Sequence, residues 1–69
     1  MSRVLLGVRG AEDPQILGQI VQVLAKMEGV EKAESTQPGQ IQVDYNPHSV
    51  TIMDLIRTIR EQGFLAGIL

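Results

Sequence analysis

Few side chains in this sequence could do chemistry: the adjacent carboxylates Glu12 and Asp13, a single histidine, His48, and three methionines, with no cysteine among 69 residues. Glu12 and Asp13 stand in the segment RGAEDPQI, Arg9 to Ile16. Two neighbouring carboxylates are hard oxygen donors that suit a divalent cation, but Ca²⁺ takes about 6 to 8 oxygens, so the pair alone amounts to a weak metal site. Asp13 also directly precedes Pro14, and that order assigns its carboxylate first to capping a helix N-terminus. His48 falls in a polar turn and reads as solvated. Met27 belongs to an apolar stripe, and Met53 has no histidine near it in sequence, so packing and surface are their expected roles. Nucleophilic or acid–base catalysis needs a base within reach of a nucleophile or substrate proton. No serine is paired with the histidine at a plausible site, so no enzyme and no cofactor are expected.

The elements that must position these residues follow from periodicity. RVLLGVR (Arg3 to Arg9) puts Val4, Leu6 and Val8 at period two, which predicts a strand with one buried face. From Pro14 to Met27 the residues Ile16, Leu17, Ile20, Val21, Val23, Leu24 and Met27 recur at three and four, which predicts an amphipathic helix with Gly29 placed to cap its C-terminus. VEKAES (Val30 to Ser35) and IQVDY (Ile41 to Tyr45) read as strands of a hairpin turned at Pro38-Gly39. Thr51 with Asp54 forms a capping-box pattern ahead of Ile52, Leu55, Ile56 and Ile59, a second helix ending at Gly63. FLAGIL, Phe64 to Leu69, reads as a fourth strand.

The order βαββαβ, with right-handed crossovers, predicts an α+β ferredoxin-like sandwich: an antiparallel four-stranded sheet ordered 4-1-3-2 with two helices on one face. Residues 1–69 form one expected domain, and folding a chain of this length buries only about 60% of the surface that it exposes unfolded. In that topology the Glu12–Asp13 loop, the hairpin and the approach to strand 4 share one end, and His48 lies at the other.

Composition narrows the partners. Six basic and eight acidic residues, formal charge −2, are scattered singly, without the basic cluster that nucleic acid or anionic lipid requires. The absence of cysteine leaves no disulfide framework and no thiolate. No signal-peptide pattern and no run approaching about 18 apolar residues is present, so a cytoplasmic setting is expected.

The landmarks LGVRG, LAKMEGVEKAE and IQVDYNPHSVTIMDLIRTIREQGF, in this order and at this spacing, resemble the heavy-metal-associated domain family of copper chaperones, mercury-binding proteins and N-terminal modules of metal-pumping ATPases. The resemblance covers nearly the whole chain and implies the same βαββαβ fold. The family's loop, Gly-Met-x-Cys-x-x-Cys, falls on Gly10, Ala11, Glu12, Asp13, Pro14, Gln15 and Ile16, so both cysteine positions are replaced, by Asp13 and Ile16. In the family two thiolates bind a soft ion beside the positive end of the following helix; one hard oxygen and one aliphatic chain do not repeat that chemistry. Phe64 matches the position where the family keeps an aromatic or a lysine beside the loop, and is expected to remain as packing. The anion-binding arginine loop of acylphosphatases, which share the topology, is not recognisable in RGAEDPQ.

What remains is surface. With Val4, Leu6 and Val8 turned to the helices, Leu5 and Gly7 face the open side of the sheet. On strand 4 the alternation predicts Phe64, Ala66 and Ile68 inward and Leu65, Gly67 and Leu69 outward. Leu5, Gly7, Leu65, Gly67 and Leu69 are therefore the candidate interface residues, beside an edge strand without charge, whereas Lys32, Glu34, Gln42 and Asp44 solvate the outer face of strands 2 and 3. The expected function is a non-enzymatic heavy-metal-associated-like module without its thiolate site, binding a protein partner or a second copy through strand 4 and the outer sheet face. The alternatives are a metal carrier using Glu12 and Asp13 weakly, and a small-ligand regulatory module of the ACT type.

Overall fold

Alternating burial defines the first strand: Val4, Leu6 and Val8 are buried while Arg3 and Arg9 are exposed. In the computed structural model, which describes all of residues 1–69, the elements run β1 (Ser2–Arg9), α1 (Pro14–Ala25), β2 (Val30–Gln37), β3 (Gln40–Tyr45), α2 (Ile52–Glu61) and β4 (Leu65–Ile68). The four strands form one antiparallel sheet in the order β2-β3-β1-β4, the 4-1-3-2 order expected of a ferredoxin-like sandwich.

Val4, Leu6 and Val8 of β1 and Ile41, Val43 and Tyr45 of β3 supply the sheet side of the core. Leu17, Ile20 and Leu24 of α1 and Leu55 and Ile59 of α2 supply the helical side. At about 25 cal/mol per Å² of apolar surface removed from water, this burial is the main term holding a disulfide-free chain together. No helix is long and apolar enough to cross a membrane.

Both helix starts form as their residues dictate. Asp13 has extended backbone and its side chain accepts a hydrogen bond from the Gln15 N–H at 2.8 Å, with Pro14 opening the helix. At α2 the capping box is complete: the Thr51 hydroxyl accepts from the Asp54 N–H at 3.1 Å, and Asp54 accepts from the Thr51 N–H at 3.0 Å.

Four local expectations need correction. Helix α1 ends at Ala25, not Met27: the N–H groups of Lys26 and Met27 donate to Val23 and Leu24, so the last turn tightens. Gly29 is left-handed (φ +92°), but it serves the turn closed by the Val30 N–H on the Met27 carbonyl and does not cap the helix itself. Strand β2 runs on to Gln37, which pairs with Gln40, and it does so with register shifts between Val30 and Lys32 and between Glu34 and Gln37. Finally, β4 is shorter than Phe64–Leu69, and Ile68, on the helix side by alternation, is 61% exposed. An inward direction does not bury a side chain on the outermost strand, which has no neighbour beyond it.

Candidate functional site

The end of the molecule that gathers the β1–α1 loop, the hairpin and the start of β4 is held by short contacts. Gly10 takes φ +87° to turn the chain out of β1, and a Cβ there would stand 3.5 Å from the Phe64 ring. Phe64 is half-buried against the core, the packing role expected of it. The Val8 N–H donates to the Gly39 carbonyl at 2.7 Å, tying the hairpin turn, where Gly39 has φ +74°, to β1. Ala11 is fully buried. Its anchoring role was not singled out from the sequence, although a small apolar residue between Gly10 and two acids was the available signal.

At the mouth of α1 the candidate ligands do not converge. One carboxylate oxygen of Asp13 is taken by the Gln15 N–H, and the Asp13 carbonyl accepts from Leu17 at 3.0 Å. Ile16 is half-buried and packed on the core. Glu12 is exposed, and no group of three or more histidine, cysteine, aspartate or glutamate residues is placed to hold a metal ion. His48 lies in the exposed turn before α2, its N–H donating to the Asn46 side chain at 3.0 Å, and Asn46 in turn donates to the Gly29 carbonyl. Met27 packs against the core and Met53 is 62% exposed. A soft ion has no sulfur pair here, and a hard cation has one committed and one free carboxylate.

The open sheet face divides by chemistry. On the β2–β3 half, Arg3 donates to Asp44 at 2.7 Å across the β1–β3 pair, and Lys32 approaches Glu34 at 3.8 Å. The hydrogen bond from Arg3 holds the Asp44 carboxyl below its ordinary range and raises the Arg3 guanidinium. At α2 the Thr51 backbone N–H lowers Asp54 in the same way. These shifts accompany surface pairs and a cap, not a catalytic cluster.

On the β1–β4 half, Gly7 pairs with Gly67 and Arg9 with Leu65. Leu65 and Leu69 are 62% and 65% exposed, and Leu5 and Gly7 are half-buried. Leu69 lies over Gly7, its Cδ2 3.0 Å from where a Cβ would be, whereas nothing stands within 4 Å of that position at Gly67. The five expected surface residues therefore share one region, but Gly7 is roofed by Leu69 and Gly67 is open. Ile68 adds a third exposed apolar chain on the opposite face of the same strand. Alternation alone had placed it inward.

No family model and no curated protein sequence matches the chain. Solved structures do. A copper binding domain from HMA7, a P-type ATPase, aligns over 100% of this chain and 95% of its own with a TM-score of 0.92 and 27% identity. The yeast copper transporter domain CCC2A aligns over 97% of this chain and 93% of its own with a TM-score of 0.85 and 29% identity. Oxidized MerP from Ralstonia metallidurans, at 20% identity, shares the fold with a TM-score of 0.89 over 97% of this chain and 94% of its own. Two of these neighbours are a copper binding domain and a copper transporter domain, and the present chain has the fold of all three without a cysteine.

Proposed function

We propose that this chain, a heavy-metal-associated fold without metal thiolates, is a non-enzymatic binding module, one domain over residues 1–69, that acts through protein contact at β4 and the outer face of β1. What supports this above all is β4 itself: an outermost strand with no charge from Phe64 to Leu69 and with Leu65, Ile68 and Leu69 all more than 60% exposed. Unpaired strand edges template further pairing, and proteins that do not use them blunt them with charges, bulges or covering elements. The other edge, β2, carries Glu31, Lys32 and Glu34 and two register shifts, and is protected in that way.

Metal carriage by the family's chemistry is disfavoured by the donor set. Two-coordinate or trigonal capture of a soft ion needs thiolates, and the matching positions hold a carboxylate engaged in a cap and a hydrocarbon packed on the core.

Amide chemical shifts test both halves in one sample. Cu(I), Zn(II) and Ca(II), added separately at micromolar concentration, are expected to leave Gly10 to Ile16 unmoved. An uncharged strand-forming hexapeptide, alternating leucine with threonine, is expected to shift Leu65 to Ile68 and the facing β1 residues while leaving β2 in place. Saturable metal shifts at the loop, or a peptide that moves β2 and not β4, contradict the proposal.

A further inference from the structure

We infer that the occupant of the β4 edge is a second copy of this chain, added antiparallel about a two-fold axis through Ala66, so that two four-stranded sheets join into one of eight strands. The inference rests on the reading of β4 as the binding edge and names its partner.

The free backbone groups fix which residues can pair. The Leu69 N–H donates to the Leu5 carbonyl at 3.0 Å. In an antiparallel ladder hydrogen-bonded and non-hydrogen-bonded pairs alternate. Given the Gly7–Gly67 and Arg9–Leu65 pairs, the backbones of Leu65 and Gly67 point at β1, and those of Phe64, Ala66 and Ile68 point away from the sheet. An incoming strand must therefore bond to Phe64, Ala66 and Ile68.

Side chains fix the register. An axis at Ala66 opposes Ala66 to its own copy and Ile68 to Phe64 of the second copy, using every outward-pointing backbone group of the strand. It also opposes Leu65 to Gly67 of the second copy, twice by symmetry. Leu65 is 62% exposed, and Gly67 has nothing within 4 Å of its missing Cβ, so the protruding side chain and the open place it needs lie two residues apart on one strand. That spacing makes the edge self-complementary, as a two-fold interface requires. Centring the axis on Gly67 instead would oppose Leu65 to Leu69 and leave fewer backbone groups paired.

Charge agrees with a like partner. The chain carries a net −2, yet the segment from Phe64 to Leu69 has no ionised side chain, so two copies meet there without like charges face to face. The extent of the edge sets the strength. The paired stretch, Phe64 to Ile68, at about 3.3 Å per residue makes a short seam, one that buries less than the roughly 1,200 Å² of a standard specific interface, and the dimer is accordingly weak, with Kd on the order of 100 µM.

Sedimentation equilibrium of the native chain from about 10 µM to about 1 mM, a range that brackets such an interface, is expected to show the average mass rising toward the dimer. Gly67→Val, at a position of ordinary strand φ with free space around it, keeps the fold, fills the place Leu65 needs, and weakens association about tenfold or more. Because the chain has no cysteine of its own, register is read directly by mixing Leu65→Cys with Gly67→Cys in a thiol-exchange buffer. Non-hydrogen-bonded pairs approach to about 4.5 Å between Cα atoms, within disulfide range, so the mixed disulfide should exceed its statistical share. A native chain that stays monomeric to about 1 mM, or disulfides in statistical proportion, overturns self-pairing. If the strand peptide still binds β4 in that case, the edge reading survives; if the peptide binds nowhere, the edge reading falls instead.

Discussion

At Asp13 one oxygen does a structural job. Its bond to the Gln15 N–H satisfies a donor that the start of α1 would otherwise leave unpaired, and Asp13→Ala should lower stability by about 1 kcal/mol in urea unfolding, with Asp13→Asn keeping most of it. Asp44 and Asp54 set the acid limb of stability. Both carboxyls titrate below their ordinary value when folded, Asp44 through Arg3 and Asp54 through the Thr51 N–H. A depressed folded pKa contributes stability that is present above the unfolded value of about 3.9 and is lost as pH falls through the folded value. Urea midpoints should therefore hold from neutral pH down to about 5 and fall below about 4, and Asp54→Asn should make that fall shallower. Legibility at this scale was uneven: the caps at Asp13 and Thr51 are local and visible in sequence, but the Arg3–Asp44 pair joins residues 41 positions apart and depends on a register that only the assembled sheet supplies.

At the scale of elements, alternation located β1, helix periodicity located α1 and α2, the Pro38-Gly39 turn located the two hairpin strands, and strand-forming residues located β4. Ends were less legible. Gly29 is needed for a turn and a close approach: a Cβ there would lie 2.7 Å from the Ser49 Cβ, on backbone at φ +92°. Gly29→Ala should cost about 1–3 kcal/mol by thermal or urea unfolding, since strain and clash act together. Gly18 is the opposite case. It sits inside α1, exposed, with nothing within 4 Å of a built Cβ, and Gly18→Ala should raise stability by about 0.5–1 kcal/mol. The exposure of Ile68 was not legible, because alternation reports which way a side chain points and not whether anything lies beyond it.

For the whole molecule, the topology gives the sheet two unlike edges, β2 charged and irregular, β4 neutral and bare. Backbone amides at Ala66 and Ile68 should exchange rapidly at low protein concentration and gain protection as concentration rises, while β2 protection stays constant. The same topology brings the β1–α1 loop beside Phe64 and the hairpin, with a cap at Asp13 and a packed Ile16 where capture of a soft ion would need sulfur. That claim is tested most directly by a Cu(I) competition titration against a chromogenic chelator, run on the native chain and on the double variant Asp13→Cys, Ile16→Cys. The expected result is that the native chain takes no copper from the chelator and the double variant takes one equivalent. Stoichiometric capture by the native chain, with shifts at Gly10 to Ile16, would contradict the account.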